Sequence, residues 1–208
     1  LTAQNNFTGF WEPEISLNSK ISESYSLNFS VRKRSFYYDD GRLTLNVRNL
    51  DIGHFSTFTL QPDQTASFGI MFRERQQIEG GLNELRLTQQ YNINHRPRIV
   101  RFGHRFRAEQ RITQNPLVHR FRYRFAVDFP LEGEKTDPGE AYLVTSTESL
   151  LSVAKATKPE FDQRLSVQIG WLFKGDVRLQ AGAEYRLEDF GQQPQHALFL
   201  LQSLIFSL

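Results

Sequence analysis

The chain has 208 residues, enough for one substantial domain and short for two, and its 25 Lys and Arg against 23 Asp and Glu leave a formal net charge of +2. That balance excludes a bulk polycation. With 39% hydrophobic and 13% aromatic residues, the chain is too greasy for disorder and too polar for a bundle of membrane helices. The absence of cysteine removes disulfides, thiolate metal sites, a cysteine nucleophile and a lipidated N-terminal cysteine.

At the front, Leu1-Thr2-Ala3 before Gln4 reads as the remnant of a small-residue cleavage site, as in an exported chain whose signal peptide has been removed. Period-2 alternation then dominates. Tyr25, Leu27, Phe29 and Val31 alternate with Ser26, Asn28, Ser30 and Arg32. Between Arg42 and Leu60 the parity slips near Val47 to Leu50, which predicts a bulge or two short strands. Phe68, Ile70 and Phe72 then oppose Gly69, Met71 and Arg73, and Leu85, Leu87 and Tyr91 oppose Glu84, Arg86, Thr88, Gln90 and Asn92. From Arg101 to Ile112 the odd positions are Arg101, Gly103, Arg105, Arg107, Glu109 and Arg111, while Phe102 and Phe106 take even ones. Past the break at Thr113 to Pro116, Phe121, Tyr123, Phe125, Val127 and Phe129 turn away from Arg120, Arg122, Arg124 and Asp128. The segments Arg164 to Phe173 and Val177 to Arg186 repeat the pattern, and the chain ends in a nearly apolar stretch from Ala197.

Turn chemistry at Gln61 to Gln64, Asn94 to Pro97 and Lys174 to Asp176 alternates with looser breaks at Gln76 to Asn83, Lys155 to Glu160 and Asp189 to His196. Leu131 to Glu140 is a long exception on the tight side. The count is about ten to twelve strands of roughly 10–14 residues, with no linker and no second domain.

Alternation alone does not say which face meets water. A soluble sandwich or a lipocalin-like cup would bury the greasy face, whereas a membrane barrel turns it outward. Long strands, aromatics near strand ends (Tyr25, Tyr91, Phe129, Trp171, Tyr185) and the apolar last strand with Phe206 favour the barrel. In lipid the sheet must also close, because an open edge leaves backbone groups unpaired. The reading is therefore all-β: residues 1–208 form a single antiparallel up-and-down transmembrane barrel in the bacterial outer membrane.

That orientation turns a charged ladder toward the lumen: Arg101, Arg105, Arg107, Glu109, Arg111, Arg120, Arg122, Arg124, Glu148, Arg164, Arg178, Glu184 and Arg186. Arg32, Arg34, Arg73, Arg75 and Arg86 extend it, while Glu84 and Asp128 complete a smaller set of acids. Charges taken from water must be paired or hydrated. Either loop acids fold in and the lumen becomes a plugged strut, or water stays and the positive excess attracts small anionic solutes.

Glu109-Gln110-Arg111, Arg120 to Arg124, Ser146-Thr147-Glu148, Asp162-Gln163-Arg164 and Gly182-Ala183-Glu184-Tyr185 together resemble a family of small outer-membrane barrels from Bacteroidetes-type bacteria, labelled a domain of unknown function. Phe10-Trp11-Glu12 and Asn83-Glu84-Leu85-Arg86 fit the same pattern, and Tyr37 to Asp51 fits it least. The resemblance implies a barrel fold and an outer-membrane location, and carries no activity.

Catalytic chemistry finds little footing. His104 and His119 lie on the apolar face of neighbouring strands, offset from one another, and Ser146, Glu148 and Ser149 cluster in sequence without a histidine. No metal or nucleotide motif appears, so no cofactor is expected. In Arg120 to Arg124 the arginines and aromatics take opposite faces, which argues against nucleic acid. The expectation is a non-enzymatic barrel in outer-membrane lipid, working beside other outer-membrane proteins as an accessory subunit. The alternative is a narrow anion-selective porin.

Overall fold

The computed structural model describes residues 7–208. The Leu1–Ala3 segment lies outside the described residues. In chain order the elements are β1 (Phe7–Lys20), β2 (Tyr25–Asp39), β3 (Arg42–Leu43), β4 (Val47–Gln61), β5 (Gln64–Glu74), α1 (Gln76–Glu79), β6 (Glu84–His95), β7 (Arg101–Ile112), β8 (Val118–Pro130), β9 (Ala141–Ala154), β10 (Glu160–Phe173), β11 (Val177–Glu188) and β12 (Gln195–Ser207). Apart from the two-residue β3, these strands close into a barrel of eleven. Neighbours along the chain pair antiparallel from β4 round to β12.

The closing seam departs from the antiparallel up-and-down pattern. β1 and β12 run parallel, with Phe7 beside His196 and Asn18 beside Ser207. The reason is parity: when strands alternate in direction, the first and the eleventh point the same way, so the last pair to form has to be parallel. Following paired residues from Asn18 through Asn28, Phe55, Gly69, Thr88, Glu109, Arg120 and Ser152 to Glu160 drifts steadily along the barrel. Over one circuit the stagger is roughly a strand length, as the tilt of a closed barrel requires.

The slip between Val47 and Leu50 is a bulge. Arg34 pairs with Asn49 and Ser35 with Val47, which leaves Arg48 as the extra residue. At two tight turns, Asp40-Gly41 and Gly175-Asp176 take left-handed backbone together (φ 46°, 75°, 75° and 53°), the geometry that suits a twisted hairpin.

Alternation sorts the side chains into an apolar outer face and a polar, charged inner one. Phe68, Ile15, Val167, Leu165 and Ile52 stand outward, each more than half exposed. Inside, four hydrophobic residues are buried among the described residues against seventeen polar or charged ones. The apolar four include Phe10, Ala197 and Phe199, which form a small plug at the seam with Phe36 and Leu201 packed against it. Tyr25, Phe129 and Trp171 lie at the end that carries the tight turns, and Tyr185 lies toward the other. No described helix is long and apolar enough to cross a membrane.

Candidate functional site in the barrel interior

The inward faces enclose a cavity of about 1280 Å³, and the thirteen ladder residues Arg101, Arg105, Arg107, Glu109, Arg111, Arg120, Arg122, Arg124, Glu148, Arg164, Arg178, Glu184 and Arg186 all line it. They come from β7 to β11, whose shared parity brings them to one surface. Toward the tight-turn end the wall carries small or neutral groups such as Asn28, Thr57, Ser146, Gln168, Gln180 and Ser203. At that rim Arg101 donates to Asp128 at 2.8 Å while staying about half exposed. Charge concentrates deeper, toward the opposite end.

Two carboxylates organise the deep part. Glu148 on β9 accepts from Arg105 at 2.7 Å and Arg122 at 2.5 Å, with Arg164 at 3.7 Å. Glu109 on β7, only 1% exposed, takes Arg122 at 2.9 Å, Arg107 at 3.4 Å and Arg86 at 3.7 Å. Arg122 therefore ties the two together and links β7, β8 and β9. Beside them Glu84 receives Arg86 and Arg111, both at 2.5 Å. Arg186 reaches Glu184 at 2.6 Å and lies 3.5 Å over the Phe199 ring. Arg120 donates to Ser152 at 2.9 Å and sits 4.0 Å from Asp162.

Several interior acids escaped the sequence reading. Glu12 and Glu14 of β1 hold Arg34 at 2.6 Å and Arg32 at 2.5 Å. Asp51 forms a bidentate pair with Arg73, both contacts at 2.7 Å, and accepts from Asn49 at 2.8 Å. The alternation of Trp11, Pro13 and Ile15 with Glu12 and Glu14 was the available signal on β1. Asp51 was hidden by the bulge, as was Arg48, which stacks 5.0 Å over Phe10. Among the described residues the acids that pair with the strand arginines of the interior all lie on strands, not in loops folded inward as the sequence led one to expect.

The catalytic candidates do not assemble. His104 stands opposite Phe125 and His119 opposite Gln110, both turned outward, with His104 2.9 Å from the Tyr123 hydroxyl. Ser146 and Glu148 line the cavity while Ser149 faces out and donates to Gln163 at 2.7 Å, because consecutive strand residues take opposite faces. Among the described residues no group of three or more His, Asp or Glu gathers in a way that could hold a metal ion. On β8 the arginines line the cavity and Phe121 and Tyr123 stand outside it.

Residues 8–196 match the family described as a protein of unknown function, DUF2490. The chain belongs to that family. No curated protein matches it, and no solved structure does. For this DUF2490 barrel the interior charge network is thus the feature from which function has to be argued.

Proposed function

We propose that this barrel is an integral protein of a Gram-negative outer membrane that works without catalysis, as an accessory or structural subunit beside a larger assembly for transport, secretion or barrel biogenesis. The observation that carries the reading is the inverted distribution of side chains: apolar residues cover the outer wall, while paired arginines and carboxylates fill much of the inside. Hydrocarbon is the solvent for which such an exterior is suited, and closure leaves none of the eleven barrel strands with an open edge.

A subunit role is supported by a polar interruption of the outer wall. Ser149 donates to Gln163, and Gln163 donates to Thr147 at 2.6 Å, all on the outward faces of β9 and β10. Polar groups facing lipid favour contact with another protein, where they meet partners that acyl chains do not offer. A photo-crosslinking residue at position 147 is expected to trap a partner of defined mass in the native membrane, while one at position 70 gives only lipid adducts. If neither position yields a protein adduct and the barrel migrates alone after gentle extraction, the subunit role is refuted.

The cavity and its arginine excess favour a second reading, a narrow anion-selective porin. Planar-bilayer recording decides between the two. The braced interior predicts no stable unitary current, and a steady anion-selective conductance would replace the subunit reading.

A further inference from the structure

We propose that the β7–β8 wall of the interior binds a phosphate group, either free or esterified to a small polar molecule. Arg105 stands directly opposite Arg124, and Arg107 directly opposite Arg122, so four guanidinium groups form a block on two neighbouring strands. Like charges set opposite each other in a sheet repel. Only Glu148 and Glu109 reach this block, and both also serve arginines outside it, Arg164 and Arg86.

The block is left with donors to spare. Arg124 forms no ion pair or hydrogen bond among the described residues, and its Nε is buried without a partner, as are those of Arg105 and Arg122. Arg107 turns two of its nitrogens to the neutral Gln90, at 2.9 and 2.5 Å. All four arginines line the cavity. A dianion with three terminal oxygens accepts from several guanidinium forks at once, which a halide lacks the geometry to do. The backbone ladders of β7 and β8 fix the donors in place before any ligand arrives. Next to the block, Ser146 and Ser166 lie 2.7 Å apart on the cavity wall, and Gln168 lines it as well. Those groups suit the hydroxyls of a sugar or similar body attached to the phosphate. The site depends on the barrel interior alone and stands whether or not the chain has a partner in the membrane.

The test is calorimetric titration of the purified barrel in non-ionic detergent at fixed ionic strength, replacing chloride with inorganic phosphate or with glucose 6-phosphate. Binding of either over the chloride background is the expected result, and a tighter ester identifies the esterified form. Arg124→Gln should weaken binding about tenfold or more, the loss of one charge-assisted contact. Because Arg124 pairs with nothing, the same variant should melt no lower than the wild type, which separates lost binding from lost folding. Arg42→Gln, in the exposed strand β3, serves as the control and should bind as the wild type does. The proposal is overturned if neither phosphate nor its ester binds beyond chloride, if Arg124→Gln binds as tightly as wild type, or if glucose alone matches the ester.

Discussion

Glu148→Gln tests the bracing directly. The carboxylate is 5% exposed and meets three guanidinium groups, at 2.7, 2.5 and 3.7 Å. Glutamine keeps the shape and one acceptor oxygen but removes the charge, so Arg105 and Arg164 are left without a counter-ion and Arg122 keeps only Glu109. Removing one partner of a buried pair costs about 3–5 kcal/mol. For a chain of this length that corresponds to a melting temperature roughly 6–20 °C lower. The assay is loss of the β circular-dichroism signal on heating in detergent, with Glu132→Gln in the 131–140 loop as a control expected within about 0.5 kcal/mol of wild type. Adding Arg105→Gln to Glu148→Gln should recover part of the loss, since it removes a cation that the first change stranded. If Glu148→Gln melts with the loop control, the carboxylate is solvated and the network does not brace the barrel.

Two further outcomes test the outer wall and the seam. Ile70→Arg places a cation on the outward face of β5 and should cost about 2–4 kcal/mol when folding is titrated with urea in phosphocholine vesicles; an unchanged titration would mean that this face does not meet hydrocarbon. Phe199→Ala removes the ring that stacks on Phe10 at 4.7 Å and lies under Arg186, and should cost about 3–5 kcal/mol. Its hydrogen exchange should rise first in β1 and β12, so a uniform rise over all strands would show that the plug does not lock the seam.

The faces were legible in the sequence because they depend only on parity. Each of the thirteen ladder residues sits on a strand with unbroken alternation, so its direction follows from that of its neighbours. The parallel seam was not legible from any local pattern, since it depends on whether the strand count is odd, and the two-residue β3 next to a bulge left that count open. Pairing was illegible for a different reason. Glu148 and Arg105 are 43 positions apart and meet across β8, a relation set by stagger around the barrel rather than by spacing along it. Asp51 and Arg48 were missed because one inserted residue inverts the parity of everything read across it.

A surplus of interior cations follows from this geometry, and stability alone gives no account of it. The acids that do pair, Glu148 and Glu109 above all, are each shared among three arginines, so every further arginine adds repulsion without a new partner. Arg124 is the clearest case: it faces Arg105 across the ladder and pairs with nothing. Exchanging it for a neutral residue breaks no ion pair and removes its repulsion with Arg105, at the cost of its place opposite Glu148 on β9, while exchanging Glu148 strands Arg105 and Arg164 and leaves Arg122 with Glu109 alone, so only the second change should cost stability. An interior that loses no stability when a charge is removed does not hold that charge for the sake of its own fold. The proposed anion site gives such a charge a use, since Arg124 is the member of the β7–β8 block with no internal ion pair and is left to attract an anion from outside.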